Sequence, residues 1–430
     1  MSESNAPTGA GERIANLDLL RGIAICAILP VNILVMGTVG DREGLTYPSH
    51  WDLNRILWCL EQILLEGPSR GLFTLLFGAG MALMLRRTEG DNPQVTPVDV
   101  WSRRCLALLA LGVVQFAVFM WPGEILWTYG IAGLLLLAFR ISRPRTLCIV
   151  AALLLLGLCG LRAWSTTNLV ETYMGAPPAA AAKAAGHALT PAQQNSLDAV
   201  QASHDGLYPS ATAVNAEIEQ RTHFKSLLKW STDGWIYRHL SVWSWPGVVE
   251  CLSFMLIGVA LYRLGILTGA ASTRTYVLMA LIGYGLGLPI RIAALAWLAR
   301  TGFELDPTRL VLPVSAVRSF LYEPARLGVT LGHVALATLL FRWKVLGGAT
   351  ALRALGRTSL TTYSLQSILT SMLFYGFGWV GALSFTSLML VSVAIWIVTA
   401  IASVLWLRRF SMGPAEWLIR AFAYGRGGLS

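Results

Sequence analysis

The sequence predicts an all-α polytopic membrane protein. It would be a bundle of about ten transmembrane helices, with short re-entrant or interfacial helices and one helical extracytoplasmic cap. Three observations predict this. The 430 residues are 55% hydrophobic and 13% charged, with a mean hydropathy of +0.59, against roughly 25% charged in an average soluble protein. Ten segments approach the roughly 20 apolar residues that cross a bilayer core as helix. Lys and Arg gather at alternate ends of those segments, which is how multi-pass proteins record their orientation. A soluble chain of this length would need several cores, each under a charged surface. The charge to cover them is missing, which excludes a soluble globular enzyme, a disordered chain and a disulfide-stapled one.

The spans are read as Leu17–Thr38, Arg70–Arg86, Arg104–Trp121, Glu124–Arg140, Arg145–Arg162, Gly247–Gly265, Thr275–Leu298, Tyr322–Arg342, Thr358–Gly378 and Leu383–Leu407. Backbone in hydrocarbon must satisfy its own hydrogen bonds, so each is helical. Asp52–Leu65 and Leu310–Leu321 are too short to span and are read as interfacial or re-entrant helices. The first apolar run is too long for a signal-peptide core, so it is expected to be an uncleaved span. Of the 33 Lys and Arg, eighteen lie at one set of ends, while the opposite short loops Trp121–Glu124 and Tyr375–Leu383 hold none. Both termini are therefore expected in the cytoplasm. The net charge of +10 reports this asymmetry, and no nucleic-acid motif accompanies it.

The reading is one transmembrane domain over residues 1–430, with an extracytoplasmic insertion at 163–246. Within the insertion, GAPPAAAAKAAG reads as flexible linker. A helix should start at Thr190–Pro191 and stop at Gly206, and a second should run from Ala211 to Trp230. Trp235, Trp243 and Trp245 suit an aromatic belt at the interface. The six cysteines lie in or beside apolar segments without CxxC spacing and read as buried small hydrophobes; no metal site is expected. Gly283, Gly285 and Gly287 read as close helix packing.

Ionisable and amide groups inside spans are costly and are the candidate site. Asp18 and Arg21 are i,i+3 neighbours on the first helix, and Asn32 lies about three turns further on the same side. Gln115 sits inside the third span, and Glu124 opens the fourth, where a carboxylate suits a helix N-terminus. Glu323, Arg326, Thr330 and His333 form one face of the eighth span. Ser359, Thr362, Gln366 and Thr370 form one of the ninth, read as interhelical hydrogen bonding. His50, in the loop TYPSHWD, is a candidate base, since an imidazole titrates near pH ~6.5. His187, His204, His223 and His239 show no ligand-like spacing and rank low.

Six ordered blocks carry a resemblance: LDLLRGIAICAILPVNI, SRGLFTLLFGAG, GEILWTYGIAGLLLL, SFMLIGVALYRLGIL, LGRTSLTTYSLQSIL and GPAEWLIRAFAYG. They resemble the YeiB family of bacterial inner-membrane proteins, whose common domain is one of unknown function, and they run from Leu17 to Gly425. The first block is also similar to the start of two membrane acyltransferase groups. One acylates sugars and exported polymers; the other contains heparan-alpha-glucosaminide N-acetyltransferase. The resemblance implies acyl transfer from cytosolic acyl-CoA to an acceptor across the membrane. In the first group a His lies eleven residues after the Arg of the RG pair; here Arg21 matches the Arg and Asn32 stands at the His position. In the heparan enzyme the essential His lies in the loop after the first helix with a Trp close behind, matched here by His50 and Trp51. Many YeiB-like chains have a His where this one has Gln115, GDIL where it has GEIL with Glu124, and Asn where it has Thr362.

The expected function is therefore transfer of an acyl group to a hydroxyl or amine at the extracytoplasmic face. His50, Glu124 and Gln115 would be catalytic. Asp18, Arg21, Asn32, Glu323, Arg326, His333 and Gln366 would bind substrate in a polar cavity. The expected partners are the bilayer, acyl-CoA as donor, a small-molecule, sugar or lipid-linked acceptor, and a second copy of the chain in a homodimer; nucleic acid is not among them. A carrier or flippase for a small or lipid-linked solute, with Glu323, Arg326 and His333 at its midplane, is the alternative.

Overall fold

A computed structural model of the chain describes residues 10–39, 51–87, 96–300 and 312–424. All regular structure among them is helical. The helices are α1 (Ala10–Gly37), α2 (Leu53–Leu64), α3 (Pro68–Arg87), α4 (Pro97–Ala117), α5 (Leu126–Leu136) and α6 (Pro144–Met174). There follow α7 (Ala176–Ala184), α8 (Pro191–Leu207), α9 (Ala211–Gln220), α10 (Phe224–His239), α11 (Trp245–Arg263) and α12 (Thr273–Arg300). The last are α13 (Leu312–Arg342), α14 (Thr350–Arg357), α15 (Ser359–Ser371), α16 (Phe385–Trp406) and α17 (Pro414–Tyr424). Eight helical stretches among the described residues are long and apolar enough to cross a membrane. The chain is a helical membrane bundle, as composition predicted.

Eight of the ten expected spans match these stretches. The other two are shorter than expected. α5 has 11 residues and ends in a 3-10 turn at Leu137–Phe139, about 16 Å of α-helix at 1.5 Å per residue. α15 has 13 residues and continues as a π turn over Met372–Gly376. Leu310–Leu321 is not a separate helix: from Leu312 onward it is the start of α13, continuous through Pro324. By contrast Asp52 does cap a short amphipathic helix, its carboxylate accepting from the Arg55 amide at 2.8 Å.

Consecutive long helices alternate in direction. One end of the bundle collects the ends bearing Arg140, Arg263 and Arg342; we call it the arginine-rich end. There Arg263 donates to the carbonyls of Arg140 and Ser142, and Arg342 to those of Gly269 and Ala271 at 2.8 and 2.7 Å. At the other end sit α7 to α10, which tie down through Arg221 to the Thr38 carbonyl (2.8 Å) and Ser231 to the Phe116 carbonyl (2.8 Å). This is the cap end.

The cap is more helical than expected. The GAPPAAAAKAAG stretch forms α7 rather than linker, because its prolines fall at the first turn and Ala is the strongest helix former. α8 starts where predicted, with a capping box between Thr190 and Gln193. The helix expected from Ala211 to Trp230 is broken into α9 and α10, with Arg221 to His223 between them. Trp235 belongs to no aromatic belt. It is buried, stacked on Phe116 at 4.4 Å, while Trp243 and Trp245 are exposed. Of the cysteines, Cys148 is exposed on α6, contrary to its expected burial.

Glycines let the long helices touch backbone to backbone. A Cβ on Gly258 of α11 would meet the Leu75 carbonyl oxygen of α3 at 1.9 Å, and one on Gly356 of α14 would meet that of Asp18 at 1.8 Å. In the GYGLG run, Gly283 and Gly287 press on α13, whereas a Cβ on Gly285 would meet nothing within 4 Å.

Candidate functional site

The turn joining α2 to α3 builds one wall of the site. Gly67 adopts φ +80°, a left-handed conformation that suits glycine. A Cβ there would also collide with the Arg326 and Tyr322 side chains at 2.9 Å. The freed space lets Arg326 of α13 donate from Nε to the Gly67 carbonyl at 3.0 Å. Arg326 is fully buried and donates to Glu250 of α11 at 2.6 Å and to Glu323, one turn away, at 3.2 Å. Arg70 reaches Glu250 at 3.0 Å, and Arg162 reaches Glu323 at 2.9 Å and Glu250 at 3.7 Å. Three guanidiniums thus meet two carboxylates. Buried charges persist only when paired and hydrogen-bonded, and every carboxylate here is. A neighbouring pair, Glu66 with Arg291 at 3.2 Å, also accepts from Tyr322 Oη at 2.9 Å.

A second buried cluster lies at the start of α5. The Glu124 carboxylate accepts from the amides of Leu126 (2.5 Å) and Trp127 (3.1 Å), the N-terminal role its position predicts. It also accepts from Trp235 Nε1 at 3.0 Å. His239, from the end of α10, is buried beside it. Its Nε2 lies 2.9 Å from the Glu124 carbonyl and 3.5 Å from the carboxylate, and its Nδ1 lies 3.1 Å from the Trp235 carbonyl. Both ring nitrogens face oxygens that only accept. A neutral imidazole carries a single N–H, so the ring can donate to only one of these carbonyls at a time.

A cavity of about 300 Å³ lies between the two clusters. Its wall includes Asn32 of α1, Arg70, Glu124, Arg238, His239 and Glu250. Pro30 lies inside α1 beside this wall, where it removes a backbone donor. Among the described residues, no group of three or more His, Cys, Asp and Glu is placed to hold a metal ion.

The expected site residues divide. Asn32 and Glu124 line the cavity. Arg326 stands behind the wall through Glu250, and Glu323 behind Arg326. Asp18 and Arg21 pair at 3.4 Å toward the arginine-rich end. Gln115 is buried and donates to Ser364 at 3.2 Å, and Gln366 donates to the Ile25 carbonyl at 3.5 Å; neither is in the cavity wall. His333 is also outside it, held by Tyr284 Oη at 2.7 Å and the Leu64 carbonyl at 2.8 Å. A donating Nε2 and an accepting Nδ1 satisfy that neutral ring, which makes it a helix tie. His50 lies outside the described residues. Sequence reasoning misses Arg70, Glu250 and His239. Arg70 and Glu250 stand at the ends of apolar runs, where charge is ordinary. His239 stands in the cap, and no spacing links it to Glu124, 115 residues away.

Fold and cavity define a class: a polytopic helical membrane protein with a charged cavity at one end of the bundle. Within that class the chain is similar to the YeiB family. Residues 261–426 match the family described as a protein of unknown function (DUF418). The chain is similar over nearly its whole length to two uncharacterized proteins. It is 28% identical to YxaH of Bacillus subtilis (97% of this chain, 96% of that one) and 26% identical to YeiB of Escherichia coli (95% and 96%). A third relative, an uncharacterized 39.9 kDa protein of Bacillus acidopullulyticus, is 33% identical over 31% of this chain and 36% of its own length. No solved structure matches the chain significantly.

Proposed function

We propose that the protein is a membrane-embedded acyltransferase of the bacterial inner membrane. It would move an acyl group from cytosolic acyl-CoA to an acceptor hydroxyl or amine held in the cap-end cavity. The single observation that carries this reading is His239, a buried imidazole in the cavity wall with the buried Glu124 carboxylate 3.5 Å away. Both termini and the arginine-rich end lie in the cytoplasm in this reading, and α7 to α10 lie outside.

The chemistry needs three things. The acceptor must lose a proton as it attacks; His239 takes it, and Glu124 stabilises the imidazolium that results. The thioester carbonyl oxygen gains negative charge as the new C–O or C–N bond forms, and the Asn32 amide stabilises it. The C–S bond then breaks, and the thiolate of CoA leaves with a proton returned by His239. The donor approaches from the arginine-rich end. There α14 brings Arg353 and Arg357 beside Asp18 and Arg21, since Gly356 packs on the Asp18 carbonyl. Guanidiniums bind phosphates by forked, charge-assisted hydrogen bonds. His50 is a second candidate for the base, or for transient carriage of the acyl group.

Purified protein in nanodiscs should transfer label from acyl-CoA to an acceptor. His239→Ala should lower the rate by roughly 10²–10⁴-fold, the span of general-base catalysis. Unchanged transfer in that variant removes His239 from the mechanism, and a parallel His50→Ala variant then decides the base. The buried network of Arg326, Glu250 and Glu323 favours a second reading, a carrier or flippase whose solute binds against that charge. Solute flux in proteoliposomes without thioester consumption would support the carrier and exclude the transferase.

A further inference from the structure

Three helices begin at the cavity. Its wall contains Gly67, Ser69 and Arg70 at the start of α3, Glu124 and Ile125 before α5, and Ser244 and Gly247 at the start of α11. The first turn of a helix presents unpaired N–H groups and the positive end of the helix dipole. At α5 the protein fills that position with its own anion, the Glu124 carboxylate. At α11 no side chain caps the first turn.

The charges around the cavity agree. Glu66 faces Arg291, so that pair balances, and the Glu124 carboxylate is already met by two amides and the Trp235 indole. Glu250 and Glu323 face Arg70, Arg162 and Arg326, which leaves one guanidinium in excess. Arg70 Nε is buried without a hydrogen-bond partner. Arg238 of α10 lines the cavity from an exposed position and makes no ion pair among the described residues. Arg70 and Arg238 both line the same cavity.

We propose that the cavity takes its ligand by an anionic group, a carboxylate or phosphate, held by Arg70 and Arg238. This rests on reading the cavity as the acceptor site and names the acceptor's class, an alcohol or amine that also carries an anion. A volume of about 300 Å³ holds the equivalent of about ten waters at ~30 Å³ each. That is room for a headgroup or a small soluble anion and too little for whole lipid chains. The anion would be anchored on Arg70 of α3 and Arg238 of α10 while the hydroxyl or amine points to His239.

The test uses the full chain in phosphatidylcholine nanodiscs without any acyl donor. Thermal stability is followed against inorganic phosphate and acetate, with chloride at matched ionic strength as control. Phosphate or acetate should stabilise saturably where chloride does not. Arg238→Gln, at an exposed side chain with no ion-pair partner, should fold normally and weaken that binding roughly tenfold, the worth of one hydrogen bond to a charged group. Replacing the lipid with phosphatidylglycerol separates the sources: loss of the phosphate response assigns the site to a lipid headgroup, and a retained response assigns it to a soluble anion. Phosphate and acetate no better than chloride, or an unchanged response in Arg238→Gln, overturns the inference. Anion binding without acyl transfer would leave it standing and remove the transferase reading. Transfer to a neutral acceptor with no anion response would do the reverse.

Discussion

Removing the Glu250 carboxylate leaves the buried Arg326 guanidinium with Glu323 as its remaining ion-pair partner and Arg70 with none. Breaking a buried pair from one side costs roughly 3–5 kcal/mol, because the surviving charge stays desolvated. Glu250→Gln should therefore lower the unfolding temperature strongly, whereas Arg162→Gln, at a partly exposed side chain, should cost under about 1 kcal/mol. Thermal unfolding of the two variants in one detergent checks the order; equal losses would mean that the Arg162 contacts matter as much to the fold as those of Glu250. At this scale the sequence is partly legible. Glu323 and Arg326 announce themselves as charges one turn apart inside an apolar run, and Glu124 as an acid at a helix start. Glu250 reads as a span end although it pairs with Arg326, 76 residues away. His239 gives no signal of its own, because its meaning depends on Glu124, brought to it only by the docking of α10 on the bundle.

Helix contacts make a sharper test of the packing. Gly283 and Gly285 sit two residues apart on α12, yet only Gly283 touches α13: an added Cβ would meet the Gly328 carbonyl oxygen at 2.5 Å. Gly283→Ala should destabilise by a measurable amount, since neither backbone can move without separating the helices. Gly285→Ala meets open space and should be neutral or stabilising by roughly 0.5–1 kcal/mol, the gain from replacing helical glycine. Chemical unfolding of both variants decides it, and a reversed order would refute the α12–α13 interface. Hydropathy locates the glycines without showing which face each takes. It also overestimates α5 and α15, because a buried segment flanked by other helices is apolar whether or not it spans. The alanine-rich stretch of α7 misleads for the opposite reason: low complexity suggests a linker, while the intrinsic preference of Ala and the position of its prolines favour a helix.

At the scale of the whole molecule, the bundle class is legible because it follows from composition and from the lengths of the apolar runs. The positive-inside rule predicts that a cysteine placed at Gly186, in the cap, reacts with an impermeant thiol reagent added to intact cells. One placed at Gly347, between α13 and α14, should react only after lysis; both glycines sit in open space. Labelling of the second site in intact cells would invert the topology. The cavity is not legible, since three separate helix starts and one histidine of the cap form it. The account predicts that this cavity is where acyl transfer ends. The most direct measurement is transfer of labelled acyl groups, over a series of chain lengths, by purified protein in nanodiscs supplied with acceptors bearing a hydroxyl or amine and an anionic group. Transfer that is lost in His239→Ala, with the variant still folded, is the predicted result. No thioester turnover at any chain length by the folded wild-type protein would contradict the account.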